Sequence, residues 1–182
     1  VILGQSPYLK SLICEIALAN ESEGGGVVAV LADAPLEQMQ RELNSIPDEK
    51  LGQTKIVVRQ GSSLEWDDLK LVSVTTARVT IVMANNAVSA DESDAFSLRV
   101  ALVLSGFDYM SGHVVSEIRD IDNKERIELI SRHRTECVVA HDLVGRLMIQ
   151  CARYPGLAQT YESLLGFAGD EVYIQEWPQL VG

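Results

Sequence analysis

Two clusters of carboxylates carry the clearest chemical potential in this sequence. Asp91, Glu92 and Asp94 form one; Glu117, Asp120 and Asp122, with Asn123 beside them, form the other. A hard cation such as Ca2+ takes about six to eight oxygen ligands, and grouped carboxylates with an amide carbonyl supply oxygens of that kind. Both clusters fall at the carboxyl ends of predicted parallel strands, where open α/β sheets bind ligands. The competing reading is helix capping, because acidic side chains favour the positive end of a helix. Glu65, Asp67 and Asp68 form a third acidic turn, read as capping only.

Other chemistries leave weaker traces. The first predicted βα turn reads Gly4-Gln5-Ser6-Pro7-Tyr8-Leu9. Dinucleotide binding uses G-x-G-x-x-G there, so that backbone can approach a pyrophosphate. Only the first glycine is present; Ser6 and Leu9 take the places of the other two, and Pro7 crowds the path. Asp33 ends the second strand near the place of a ribose-binding acid, and reads more simply as a cap. There is no G-x-S-x-G, no phosphate loop with G-K-[ST] and no H-E-x-x-H. Tyr154 and Tyr161 lack a lysine four residues on, so the acid/base pair of short-chain oxidoreductases is missing. His113, His133 and His141 are scattered and read as structural. Cys14, Cys137 and Cys151 lie in apolar stretches without C-x-x-C spacing, and read as buried thiols of a reducing compartment.

The chain that must position these groups has 182 residues, with 15 Lys and Arg against 26 Asp and Glu, for a formal charge of −11. That length suits one domain, or one domain with an appendage. The acidity argues against nucleic acid, whose phosphates need a cationic face. Hydrophobic residues at 47% and charged residues at 23% exclude disorder. No apolar run reaches the ~18 residues of a membrane span. The opening Val-Ile-Leu-Gly has neither an initiator Met nor a basic leader, and is expected to lie inside a longer chain.

Short β-branched runs alternate with helical periods. Strands are predicted at residues 1–3, 27–31, 55–59, 78–84, 113–118, 136–139 and 171–175. Helices are predicted at 6–20, 35–44, 65–71, 90–105, 123–130, 141–154 and 157–167. Ser6-Pro7 is predicted to cap and open the first helix. Ala95, Leu98, Ala101 and Leu102 are predicted to face inward from the helix at 90–105. Successive βα units imply a doubly wound parallel sheet of about six strands over residues 1–139, with residues 140–182 an arm beyond it. The helix at 141–154 carries Leu143, Val144, Leu147, Met148, Ile149 and Cys151, an apolar stripe wider than one face. It is expected to pack on its own domain on one side and on a partner on the other. The alternative is a last core helix of the same domain.

The run at residues 141–158, His-Asp-Leu-Val-Gly-Arg-Leu-Met-Ile-Gln-Cys-Ala-Arg-Tyr-Pro-Gly-Leu-Ala, closely resembles the signature of Castor/Pollux-type ion channels. These are plant nuclear-envelope channels of symbiotic calcium signalling, with algal and bacterial relatives. Residues 17–20 and 24–28, 90–95, 120–123 and the stretch Trp177-Pro178-Gln179-Leu180 resemble the family too, so the similarity covers essentially the whole chain.

The resemblance implies an RCK domain, a regulator of K+ conductance with a Rossmann-like lobe. It implies that residues 141–154 are a crossover helix, followed by a second helix and the start of a smaller lobe. Four subunits with two such domains each would form a gating ring under a pore that lies outside these residues. The implied work is regulatory, not enzymatic: ion sensing, with Ca2+ as the cofactor, coupled to pore gating. Asp91, Glu92 and Asp94 are the first choice of ligands, and Glu117, Asp120 and Asp122 the second. Asn85-Asn86-Ala87 stands where family members carry acids, which weakens a Ca2+ site in that loop. Leu143, Arg146, Leu147, Gln150 and Arg153 are the implied interface of a homo-oligomer. The domain would belong to an integral membrane protein, of the nuclear envelope in a plant or the plasma membrane in a bacterium. The rival is a nucleotide-sensing regulatory subunit of the TrkA type, with NAD in the Rossmann cleft.

Overall fold

The structure is a computed structural model that describes residues 1–167. The predicted strand at 171–175 and Trp177-Pro178 lie outside the described residues. Six strands form: β1 (Ile2–Leu3), β2 (Val27–Ala32), β3 (Lys55–Gln60), β4 (Val79–Val82), β5 (His113–Ile118) and β6 (Thr135–Val139). The helices are α1 (Leu9–Ala19), α2 (Leu36–Leu43), α3 (Asp48–Leu51), α4 (Trp66–Leu71), α5 (Ala90–Ser105), α6 (Lys124–Ile130), α7 (Ala140–Arg153) and α8 (Leu157–Leu165). The strands make one sheet in the order β3-β2-β1-β4-β5-β6, every pair parallel. That is the Rossmann-like doubly wound order.

Strand side chains alternate between the two faces of a sheet. Ile2 aligns with Val30 and Ile81, and Leu3 with Leu31 and Val82. Ile2, Val28, Val30, Val58 and Met83 therefore share one face with Leu9 and Ile13 of α1 and Met39 and Leu43 of α2. Leu3, Leu31, Val82 and Val114 share the other with Leu69 of α4 and Val100 and Leu104 of α5. Ile118, Cys137 and Val139 continue that side under Ala101 of α5 and Ile127 of α6. Each fully buried Leu or Ile of this kind contributes about 1.5–3 kcal/mol relative to exposure. Burial also pushes the Cys137 thiol up to about 11, so it stays a neutral apolar filler.

The structure corrects four expectations. The first helix begins at Leu9 without a side-chain cap. Ser6 is buried instead, and its carbonyl accepts the Leu9 N–H at 3.0 Å in a turn that carries the chain off the central strand. The short α3 went unpredicted because four residues between Pro47 and Gly52 are too few to show a period. On α5 the inward set is Ser93, Asp94, Ser97, Val100, Ala101 and Leu104, while Ala95 is exposed and Leu102 is 59% exposed. Small serines let this helix sit close to the sheet, so its buried stripe is not its most apolar one. Finally, α7 and α8 bury no residue at all. Helices α1, α2, α4, α5 and α6 already cover both faces of the sheet, so among the described residues α7 adds no buried residue to the core.

The α5–β5 loop shows how tightly the sheet's lower edge is closed. Ser111 N–H reaches the Thr75 carbonyl at 3.0 Å and His113 N–H reaches that of Arg78 at 3.2 Å. A Cβ on Gly112 would lie 2.0 Å from the Ala77 carbonyl oxygen and 2.5 Å from that of Arg78. Gly112→Ala is expected to lower stability by about 2 kcal/mol or more, since backbone must move. Urea unfolding would show an earlier midpoint with an unchanged slope.

Candidate functional site

In a doubly wound sheet, ligands bind where the strand order reverses, above the carboxyl ends of β1 and β4. Here the chain's own side chains occupy that place. Gly4 leaves β1 with φ at 102° while its N–H donates to the Leu31 carbonyl at 2.9 Å. The turn through Ser6 and Pro7 then brings Tyr8 across to β5, where its hydroxyl donates to the Glu117 carboxylate. The same Glu117 oxygen accepts the Ala84 N–H at 3.0 Å, just beyond β4. A backbone donor at the end of β4 is thus taken by an internal carboxylate. Burial, with the Glu117 carboxylate adding to it, pushes the Tyr8 phenol well above its ordinary value, so it stays a donor. Tyr8 and Glu117 close the path a pyrophosphate would need.

The two acidic clusters meet at the α5 amino end, but not as a cation cage. Asp94 is 2% exposed. Its Oδ1 accepts the Arg119 N–H at 2.8 Å, and its Oδ2 accepts the Asp120 N–H and the Asn123 side-chain amide, each at 2.9 Å. Three donors consume most of the acceptor capacity of one carboxylate. Glu92 closes a capping box: its carboxylate accepts from Ser89 N–H at 3.2 Å and Ser89 Oγ at 2.9 Å, while Ser89 Oγ accepts the Glu92 N–H. Glu117 holds Tyr8 and Ala84. Asp120 accepts the Asp122 N–H at 3.0 Å. Asp91 and Asp122 are exposed and make no side-chain hydrogen bond among the described residues. No group of three or more His, Cys, Asp or Glu among the described residues is placed to hold a metal ion. The six carboxylates as arranged therefore do not by themselves fit a Ca2+ site among the described residues.

Asn85, in the loop that lacks acids, makes a local turn by accepting the Ala87 N–H at 2.9 Å. Arg119 bridges to the same loop, donating to the Val88 carbonyl at 2.7 Å. Neither Tyr8 nor Arg119 stood out in the sequence. Their partners are remote in the chain, so no local pattern marks them.

The second candidate surface is α7. At about 100° per residue, Leu143, Val144, Leu147, Met148 and Cys151 span about 140° of one side. Leu143 is 49% exposed, Val144 52% and Met148 67%. Arg146, Gln150 and Arg153 form a polar edge beside the stripe, with Arg146 paired to Asp142 at 2.8 Å. Arg153 lies over the Tyr154 ring, 5.7 Å from its centre. Ile149 stands on the opposite side, also exposed. Among the described residues, no helix is long and apolar enough to cross a membrane.

Comparison with known proteins joins these features. Residues 141–182 match the family described as "Castor and Pollux, part of voltage-gated ion channel". The whole chain is 49% identical to a segment of the probable ion channel POLLUX of Arabidopsis thaliana, covering 22% of it. It is 48% identical, again over its whole length, to a segment of the ion channel CASTOR of Lotus japonicus, covering 21% of it. The chain thus spans about a fifth of the length of these relatives. In structure it resembles the human SLO3 gating ring, with a TM-score of 0.62 and 18% identity, over 96% of this chain and 30% of that one. It also resembles the TrkA-N domain of the inner membrane protein ybaL from Escherichia coli, with a TM-score of 0.53 and 14% identity, over 82% of this chain and 93% of that one. At these identities the two structures establish the Rossmann-like fold.

Asp94 and Asp91 separate under mutation. Asp94→Asn turns an acceptor into a donor facing buried N–H groups, and is expected to lower stability by about 2–3 kcal/mol. Asp91→Asn is expected to stay within about 0.5 kcal/mol of the wild type. Urea unfolding of the two variants measures both, and shows that a double variant would confound ligand loss with unfolding.

Proposed function

We propose, from 48–49% identity over its whole length to segments of Castor and Pollux ion channels, that the chain is a regulatory domain of a cation channel, working in a gating ring and performing no chemistry. The α7 surface is the observation that carries the proposal. Among the described residues its apolar side buries no residue and leaves Leu143, Val144 and Met148 exposed, and exposed patches of this kind mark interaction surfaces. In this reading residues 1–139 are the Rossmann-like lobe, and residues 140–182 are the crossover segment, the following helix and the start of a smaller lobe. Leu143 and Leu147 meet a second copy, and Arg146, Gln150 and Arg153 form the polar rim of that contact. The pore belongs to the remaining length of the channel, which makes this a domain of an integral membrane protein. Four copies in the parent channel would close the ring.

A ligand can move such a ring only by its difference in affinity for the two states. The finer part of the proposal is a response to a cation, Ca2+ in the sequence reading. Of the six carboxylates, Asp91 and Asp122 are the two that are exposed and make no side-chain hydrogen bond among the described residues, and they would need oxygens from an adjoining domain to complete a coordination shell. The nucleotide-sensing alternative meets Tyr8 and Glu117 in the crevice and has no observation in its favour.

Light scattering of the purified chain tests the interface. Self-association is expected in the wild type and in Ile149→Asp, whose side chain lies away from the stripe. Leu147→Asp is expected to be monomeric with an unchanged circular dichroism spectrum, because a buried charge at the contact is costly. A monomeric wild type, or a Leu147→Asp variant of undiminished mass, would overturn the assignment.

A further inference from the structure

The opposite end of the sheet carries a cleft of about 490 Å³ that the gating reading does not use. It opens at the amino ends of β5 and β6, remote from the switch point. Tyr109, His113, His133 and Arg134 line it, together with Asp108. Its volume falls in the range of small-molecule sites, roughly 300–1,000 Å³. Two of the chain's three histidines and an arginine meet here, in a protein of charge −11.

The turn that presents them is strained. Helix α6 ends with the His133 N–H on the Glu128 carbonyl at 2.7 Å and the Arg132 N–H on the Leu129 carbonyl at 3.0 Å. This is a Schellman closure, in which glycine ordinarily takes the left-handed position. Here Arg132 has φ at 55° and His133 at 59°. Left-handed backbone costs an ordinary L-residue about 1–2 kcal/mol, and such strain gathers at functional sites. A cation near a helix carboxyl end is favourable in itself, which accounts for Arg132. It does not account for His113, which comes from β5.

The imidazole and guanidinium donors are also under-used internally. Among the described residues, neither His133 nor Arg134 forms an ion pair; Arg134 makes only a long contact of 3.5 Å to the Phe107 carbonyl. His113 has Glu136 at 3.4 Å. The nearby backbone N–H groups of Ser111, His113, His133 and Arg134 are already bonded, so side chains must make the contacts. Guanidinium and imidazole donors around one cleft select oxyanions, and guanidinium suits phosphate through paired hydrogen bonds. Tyr109, 69% exposed at the cleft, offers a ring face to an attached group.

We propose that this cleft binds a small phosphate-bearing anion, with Arg134, His133 and His113 on the phosphate and Tyr109 against whatever the phosphate carries. Asp108 and Glu136 limit the site to ligands whose charge is concentrated at one end. The proposal stands independently of the α7 interface.

Calorimetry of the chain with inorganic pyrophosphate and, separately, with AMP tests it, with backbone amide shifts mapped by NMR. Saturable binding of at least one probe is expected, with shifts concentrated in residues 108–114 and 132–136. Arg134→Gln is expected to weaken binding about tenfold, the effect of losing one charged hydrogen-bonded contact. His133→Gln, an exposed position, gives a second and smaller loss should Arg134→Gln disturb the fold. AMP binding tighter than pyrophosphate identifies a nucleotide-like ligand read by Tyr109; the reverse order identifies the phosphate groups alone. The absence of saturable binding for both probes, or binding undiminished in both variants, overturns the proposal.

Discussion

A parallel sheet has to be covered on both faces, and here the covering comes from the helices that connect its own strands. The constraint falls hardest on β1, which is only Ile2–Leu3 yet pairs with β2 on one side and β4 on the other. Ile2 and Leu3 are at most 1% exposed, one in each core layer. Everything downstream follows from that centre. The strand order reverses at β1, so the chain must leave it by a sharp turn at Gly4, and the crevice of the fold opens there.

What fills the carboxyl edge is the protein itself. Glu117 takes the Ala84 N–H and the Tyr8 hydroxyl; Asp94 takes three donors from the β5–α6 turn. Both carboxylates join segments that are far apart in the chain. A buried donor left unpaired costs about 1–3 kcal/mol, so these acids hold the edge as firmly as apolar packing does. The same edge serves catalysis or cofactor binding in other doubly wound proteins. In this chain it is an internal brace, and of the clustered acids only Asp91 and Asp122 are exposed without a side-chain hydrogen bond among the described residues.

Helix α7 obeys a different rule. The helices on the sheet each bury part of an apolar face, whereas α7 buries no residue and leaves Leu143, Val144 and Met148 about half or more exposed. A helix of 14 residues with this pattern gains little stability alone, and most helical stability comes from packing an apolar face.

Local spacing made most of the architecture legible before any coordinates. The β-branched runs marked all six observed strands, and the 3-4 periods marked α1, α2, α4, α5, α6, α7 and α8 to within a few residues. The run at 141–158 pointed to the channel family that the comparisons support. These signals are local because hydrogen bonding within a helix and alternation along a strand involve near neighbours. The use of each polar group was not legible. Asp94 reads as one more acid at a helix start, but its donors lie 25 to 29 residues away, and Tyr8 finds Glu117 at a separation of 109. The inward face of α5 likewise depended on how closely the helix approaches the sheet, which hydrophobicity alone does not encode. Burial decides whether a carboxylate is a brace or a free ligand, and burial is set by segments that meet only when the chain folds.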